Sequence, residues 1–195
     1  MATRTSHEEG NVGAEAQEMT GAVAQDDGRR MGPPVTSEQV WRALAKASFA
    51  TLSHVTPSGE PRSSGVVYKL VGRRLYTAVA PDSWKAKHVA ASGRVAVTVQ
   101  VRRGGILSLV APIPPATISF HGAAIVHPAA SPRGRSLLKE LGSLIPPERR
   151  VSGTVIEIVP EAEFLTYALG VPLRKMLDPA AAQARVAVSQ EGRAR

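Results

Sequence analysis

Residues 94–101 alternate. Val95, Val97, Val99 and Val101 fall on one side of an extended chain, and Arg94, Ala96, Thr98 and Gln100 fall on the other. Period two over eight residues predicts a half-buried strand. The same reading predicts strands over 48–55, 61–71, 74–79, 116–127 and 151–159. Thr56-Pro57-Ser58-Gly59 separates the first two as a turn, and Val71-Gly72-Arg73 has the chemistry of a tight hairpin. Helical spacing appears three times. Residues 37–47 carry Val40, Trp41, Leu44 and Ala45 on one face, with Ser37 as the cap. Asp82 or Ser83 caps a second helix running to about residue 91, closed by Ser92-Gly93. Residues 132–144 present Leu137, Leu138, Leu141 and Leu144 as a third apolar stripe. The order is helix, three strands, helix, two strands, helix, strand. Such hairpin-like links predict a mainly β chain with flanking helices (α+β), its antiparallel sheet curled or closed. There is no parallel βαβ array, Rossmann glycine fingerprint or P-loop.

Outside these segments the pattern stops. Residues 1–34 have almost no large apolar side chains, and carry six acids against Arg4, Arg29 and Arg30. We read 1–36 as a disordered tail, 37–178 as one domain and 179–195 as a flexible Ala-rich tail. No apolar run follows Met1, so a secretory signal is not expected, and the stretch is too acidic for a transit peptide. Residues 104–132 hold no charged side chain if histidines are neutral, yet Pro112, Pro114 and Pro115 interrupt any membrane helix there. A buried strand after an apolar loop is the expectation, and no association with a membrane.

Composition narrows the chemistry. Among 195 residues there is no cysteine. Disulfides, thiol nucleophiles, iron–sulfur clusters and cysteine zinc sites are therefore excluded, and a reducing cytoplasm is the expected compartment. The net charge is +8, and removing the acidic tail leaves 21 basic and 10 acidic side chains. That excess favours anionic partners, phosphates above all. The basic pairs Arg73-Arg74, Arg102-Arg103, Arg149-Arg150 and Arg174-Lys175 sit at turns and strand ends, and aromatic residues make up only 4%. A stacking platform for nucleic acid is poorly supplied, so nucleic-acid binding is not expected. Ser53, Ser64 and Ser119 lie in no nucleophile elbow, the acids are scattered, and His54, His88, His121 and His127 do not converge with metal-ligand spacing. His88 stands four residues after Trp84 on one helix face, suited to packing or to a cofactor edge.

The richest stretch is 61–101, PRSSGVVYKLVGRRLYTAVAPDSWKAKHVAASGRVAVTVQV. A strand with Arg62 and Ser64 precedes one with Tyr76 and Thr77, and a helix start carries Ser83, Lys85 and Lys87. Helix starts offer unpaired N–H groups and the positive end of a dipole. Hydroxyls and lysines added there make a phosphate cradle.

These segments, in the order ATLSHV, TPSGEP, SSGVVYKL, GRRLYTAV, SWKAKHV and GRVAVTV, resemble the pyridoxamine 5′-phosphate oxidase-like, FMN-binding split β-barrel family over residues 37–160. The resemblance implies a homodimer of split antiparallel β-barrels with flavin sites at the dimer interface. It implies strand contacts to the flavin from Arg62, Ser63, Ser64, Gly65, Val66 and Val67, a Tyr-Thr pair at Tyr76 and Thr77, and a Ser-Arg-Lys element at Ser83, Trp84 and Lys85. Trp84 departs from the pattern, removing a bidentate phosphate donor that Lys87 would replace. A family glutamine falls near Thr117, a second departure. No Trp follows Trp84, so the vitamin B6 oxidase activity itself is disfavoured. Segments 107–122 and 164–179 look like an uncharacterised bacterial branch. The function the resemblance implies is that of an FMN-dependent oxidoreductase, acting on a small molecule through the cofactor's own chemistry. The alternatives are a reductase using the deazaflavin coenzyme, or a non-catalytic flavin- or haem-binding protein.

Overall fold

In the computed structural model residues 35–103, 114–145, 147, 149–176 and 178–189 are described. The first helix, α1 (Ser37–Lys46), starts one residue earlier than expected. Thr36 is its cap: the Thr36 hydroxyl accepts from the Gln39 amide, and the Gln39 side chain accepts from the Thr36 amide. This capping box satisfies two otherwise unpaired donors. Val40, Trp41 and Leu44 are buried, as their spacing requires.

Strands β1 (Phe49–Val55) and β2 (Pro61–Val67) form the first hairpin. The single strand expected over 61–71 is broken at Tyr68 into β2 and β3 (Lys69–Val71). The reason is the tyrosine itself. It is buried, its amide donates to the Ser48 carbonyl at 2.8 Å, and its hydroxyl donates to the Leu44 carbonyl at 2.7 Å. The chain therefore turns a corner there. After a two-residue Gly72-Arg73 loop with both φ positive, β4 (Arg74–Val79) pairs back on β3. The helix α2 (Trp84–Ser92) ends on Gly93 at φ 64, the left-handed conformation glycine adopts without steric cost.

Then follow β5 (Arg94–Val101), β6 (Ala116–His127), α3 (Pro132–Leu141), the one-turn α4 (Arg149–Ser152), β7 (Thr154–Pro160), β8 (Glu163–Tyr167), the short α5 (Pro179–Ala182) and β9 (Gln183–Ala187). All pairings among the described strands are antiparallel, in the order β2-β1-β5-β6-β7-β4-β3. Since β2 runs into β3 through Tyr68, the two ends of this path are one stretch of chain and the sheet curls into a barrel. Strand β6 branches: its start pairs β8, its later part pairs β7, and β9 extends β8. Inside, Phe164 is fully buried, edge-on to Trp41 at 5.0 Å and to Phe120 at 5.5 Å.

Three expectations are corrected. The third helix stops at Leu141 and passes into a 3-10 turn, because Gly142 breaks it at φ 47. The last expected strand begins at Thr154, and Val151, 83% exposed, lies in α4. The segment expected as a flexible tail from residue 179 holds α5 and β9 instead. Asp178 caps α5, and Val186 is buried in the core. Its order comes from pairing with β8, a non-local contact that an Ala-rich pentapeptide does not announce. Residues 1–34, most of the apolar loop (104–113) and 190–195 lie outside the described residues. No described helix is long and apolar enough to cross a membrane.

Candidate functional site

Strand β2 ends the sheet path, so β1 is its only partner among the described strands. In register, Arg62 faces His54, Ser63 faces Ser53, Ser64 faces Leu52 and Val66 faces Ala50. The start of α2 lies close by. Two clefts meet here. The larger, about 930 Å³, is walled by His54, Arg62, Ser63, Ser64, Trp84 and His88, together with the turn between β1 and β2. The smaller, about 430 Å³, is walled by Phe49, Gly65, Val66, Val67, Tyr76 and Thr77, and closed by the end of α3. Ala80, Ser83 and Lys85 line both. Eleven of the twelve residues singled out in the sequence therefore line this double cleft. Lys87 lines neither: its Nζ stands 5.6 Å from the Trp84 ring centroid, a cation–π contact.

The neck between the clefts has the chemistry of an anion site. Ser83 is the N-cap of α2, yet its hydroxyl makes no capping bond. In α1, α3 and α5 the cap side chain does bond the first turn. A helix start whose cap hydroxyl makes no capping bond, beside a lysine, suits a phosphate. The buried Ser64 hydroxyl likewise has no hydrogen-bond partner among the described residues. A buried hydroxyl without a partner is costly, and a ligand in the cleft is one remedy. Arg62 is exposed and paired to Glu60 at 2.9 Å, so its charge is partly neutralised.

Histidine enters the site with little warning from the local pattern. His54 sits on the inward face of β1 with Ala50 and Leu52 and is 8% exposed. Its Nε2 is 3.1 Å from His88 Nδ1. Burial, then His88, Lys85 and Arg62, hold His54 below its ordinary value, so it is neutral at pH 7. The alternation of β1 marked position 54 as inward. Nothing local showed that the other partner would come from α2, 34 residues on. Trp84, 74% exposed, stands at the mouth with its ring 5.8 Å from that of His88.

The other histidines do other work. His127 bonds Glu157 at 2.8 Å, and Arg74 bonds the other oxygen of that carboxylate. Glu157 is 2% exposed. Burial alone raises its pKa, but the bonds from Arg74 and His127 outweigh this and hold it below the ordinary value. Tyr76, next to it, is pushed up by burial and by the Glu157 charge. This cluster ties β4, β6 and β7 together.

No family model and no curated protein matches the sequence. Solved structures do match. General Stress Protein 26 from Bacillus anthracis is 17% identical, with 67% of this chain and 92% of that one covered, at TM-score 0.52. A pyridoxamine 5′-phosphate oxidase-related, FMN binding protein from Nostoc punctiforme is 13% identical, with 76% and 85% covered, at TM-score 0.51. The fold is the pyridoxamine 5′-phosphate oxidase-like split barrel. The haem storage protein HutZ from Vibrio cholerae is also similar, 11% identical with 69% and 97% covered, at TM-score 0.54. In this split barrel the double cleft lies beside the terminal strand of the sheet path, where β2 turns into β3.

Proposed function

We propose that the protein is a flavin-dependent oxidoreductase, binding FMN in the double cleft and exchanging hydride or electrons with a small molecule. One observation carries the reading: Ser83 and Lys85 stand at the neck of two clefts whose walls are the residues expected to touch a flavin. The FMN binding protein of the same fold supports it. Ser83, the first amides of α2 and Lys85 would hold the phosphate, and Gly65, Val66, Val67, Tyr76 and Thr77 would hold the planar ring. The outer edge of β2, not paired to another described strand, offers main-chain donors and acceptors to that ring. When bound, the flavin supplies the redox chemistry. The protein's part is to anchor, orient and exclude water.

Phe49, Val67 and Leu144 line the smaller cleft and are 54%, 48% and 40% exposed. A second copy of the chain covering them would close that cleft, and a homodimer is part of the proposal. The deazaflavin coenzyme shares the phosphate chemistry and is the second reading. Adding FMN or the deazaflavin coenzyme to the purified protein and following visible absorption tests both. A shifted and resolved flavin band, bleached by a reductant and restored by an oxidant, supports the enzyme. A band unchanged with either cofactor refutes it.

A further inference from the structure

We propose that His54 and His88 form a tautomer-locked pair, in which His54 acts as a positioning residue and His88 presents an Nε2–H donor to an oxyanion in the larger cleft. This deepens the reading above and rests on the cleft being an anion site. The two rings approach through His54 Nε2 and His88 Nδ1 at 3.1 Å, so one of these nitrogens donates and the other accepts. The remaining nitrogen of His54, Nδ1, is buried and has no partner among the described residues. A proton there would be a buried N–H with no acceptor, the rarest kind of unpaired group in a folded protein. The proton of His54 therefore sits on Nε2 and is donated to His88 Nδ1. His88 Nδ1 is thereby an acceptor, and the proton of His88 is confined to Nε2. A second proton on His54 would occupy the partnerless Nδ1, close to the positive charges of Lys85 and Arg62. His54 accordingly stays neutral, and the pair has one direction.

His88 lies three residues after Lys85 and four after Trp84 on α2, so all three side chains share a helix face, and all three line the larger cleft. An oxyanion drawn to Lys85 meets the His88 donor on the same face, with His54 fixing that ring from behind. The oxyanion is a phosphate, either the cofactor's own or one on a separate acidic substrate.

The test uses the full-length protein. Long-range nitrogen–proton correlation spectra of the imidazoles, without ligand, are expected to show His54 protonated at Nε2 and bare at Nδ1, and His88 protonated at Nε2. The opposite tautomer in either ring overturns the proposal. Inorganic phosphate is then titrated with and without FMN present. A shift of the His88 Nε2 signal by FMN alone assigns the oxyanion to the cofactor. A shift by phosphate on the FMN-loaded protein assigns it to a substrate. If neither moves it, the proposal fails. His88→Leu is expected to weaken the responding ligand about tenfold to a hundredfold, the worth of a hydrogen bond to a charged group. His54→Leu is expected to weaken it and to leave His88 in mixed tautomers, whereas His54→Gln, whose amide still donates, restores most of the affinity and the single tautomer. Equal affinity in His88→Leu refutes the donor even if FMN binds. FMN failing to bind while phosphate still shifts His88 refutes the flavin reading and leaves this one standing.

Discussion

Replacing Glu157 by glutamine is expected to destabilise the protein by about 1–2 kcal/mol near neutral pH. The magnitude follows from the two bonds its carboxylate accepts. The one from His127 is part-buried, with the His127 side chain 16% and the Glu157 side chain 3% exposed. A hydrogen bond to a charged group contributes about 1.5–3 kcal/mol, and a neutral one about 0.5–1.5. Arg74 is half-exposed, at 49%, so solvent screens its share to under about 1 kcal/mol. Glutamine keeps an oxygen that accepts from Arg74, while its amide N–H can meet His127 Nε2 only when that ring carries its proton on Nδ1, so the loss falls on the charge and on the His127 bond. The sign with pH is fixed by the direction of the Glu157 shift. A carboxyl whose folded-state pKa lies below its unfolded value contributes stability above that unfolded value. The contribution is lost as pH falls through the folded-state value. Urea unfolding followed by far-ultraviolet circular dichroism, at about pH 7 and about pH 3, reads the difference between parent and variant. The difference is expected to shrink in acid. A difference that stays constant or grows on acidification would refute the assignment of Glu157 as a charged tie between β4, β6 and β7.

Trp84→Arg places a bidentate donor at the cleft mouth and is expected to tighten FMN binding about tenfold, measured by fluorescence titration. Unaltered affinity would mean that position 84 does not face the phosphate. Tyr68→Phe removes the bond to the Leu44 carbonyl at the corner between β2 and β3, and is expected to cost about 1–2 kcal/mol in urea unfolding. Gly122→Ala should be worse than an ordinary strand substitution, because its Cβ would stand 2.3 Å from the Val159 carbonyl oxygen. A loss of about 3 kcal/mol or more is expected as β6 and β7 are forced apart, and a neutral result would show that the strands yield freely there.

Local patterns carried most of this fold into view. The valines of β5 fell inward as their alternation required, with Val95, Val97 and Val99 buried. Gly93 and the Gly72-Arg73 loop ended their elements where turn chemistry placed them. What stayed hidden depended on contacts between distant segments. β8 and β9 exist through pairing with β6 and with each other, and their sequences carry no strong period. The corner at Tyr68 needed a partner on α1, 24 residues earlier. The same division holds at the site. Ser83, Trp84 and Lys85 cluster because they are neighbours at a helix start, and Arg62 to Val67 because they share one strand. Lys87 looked equivalent to Lys85, but a step of two on a helix turns it to another face, over Trp84. His54 and His88 each had an ordinary explanation alone, and only the packing of α2 on β1 made them a pair.

If a phosphate is gripped at the Ser83–Lys85 neck, the protein distinguishes FMN from riboflavin, which is identical but for that phosphate. In parallel titrations the parent protein is expected to bind FMN at least about tenfold more tightly than riboflavin, and Lys85→Ala is expected to lose most of that difference. Equal affinity of the parent protein for the two, or a preference that survives Lys85→Ala intact, would contradict it.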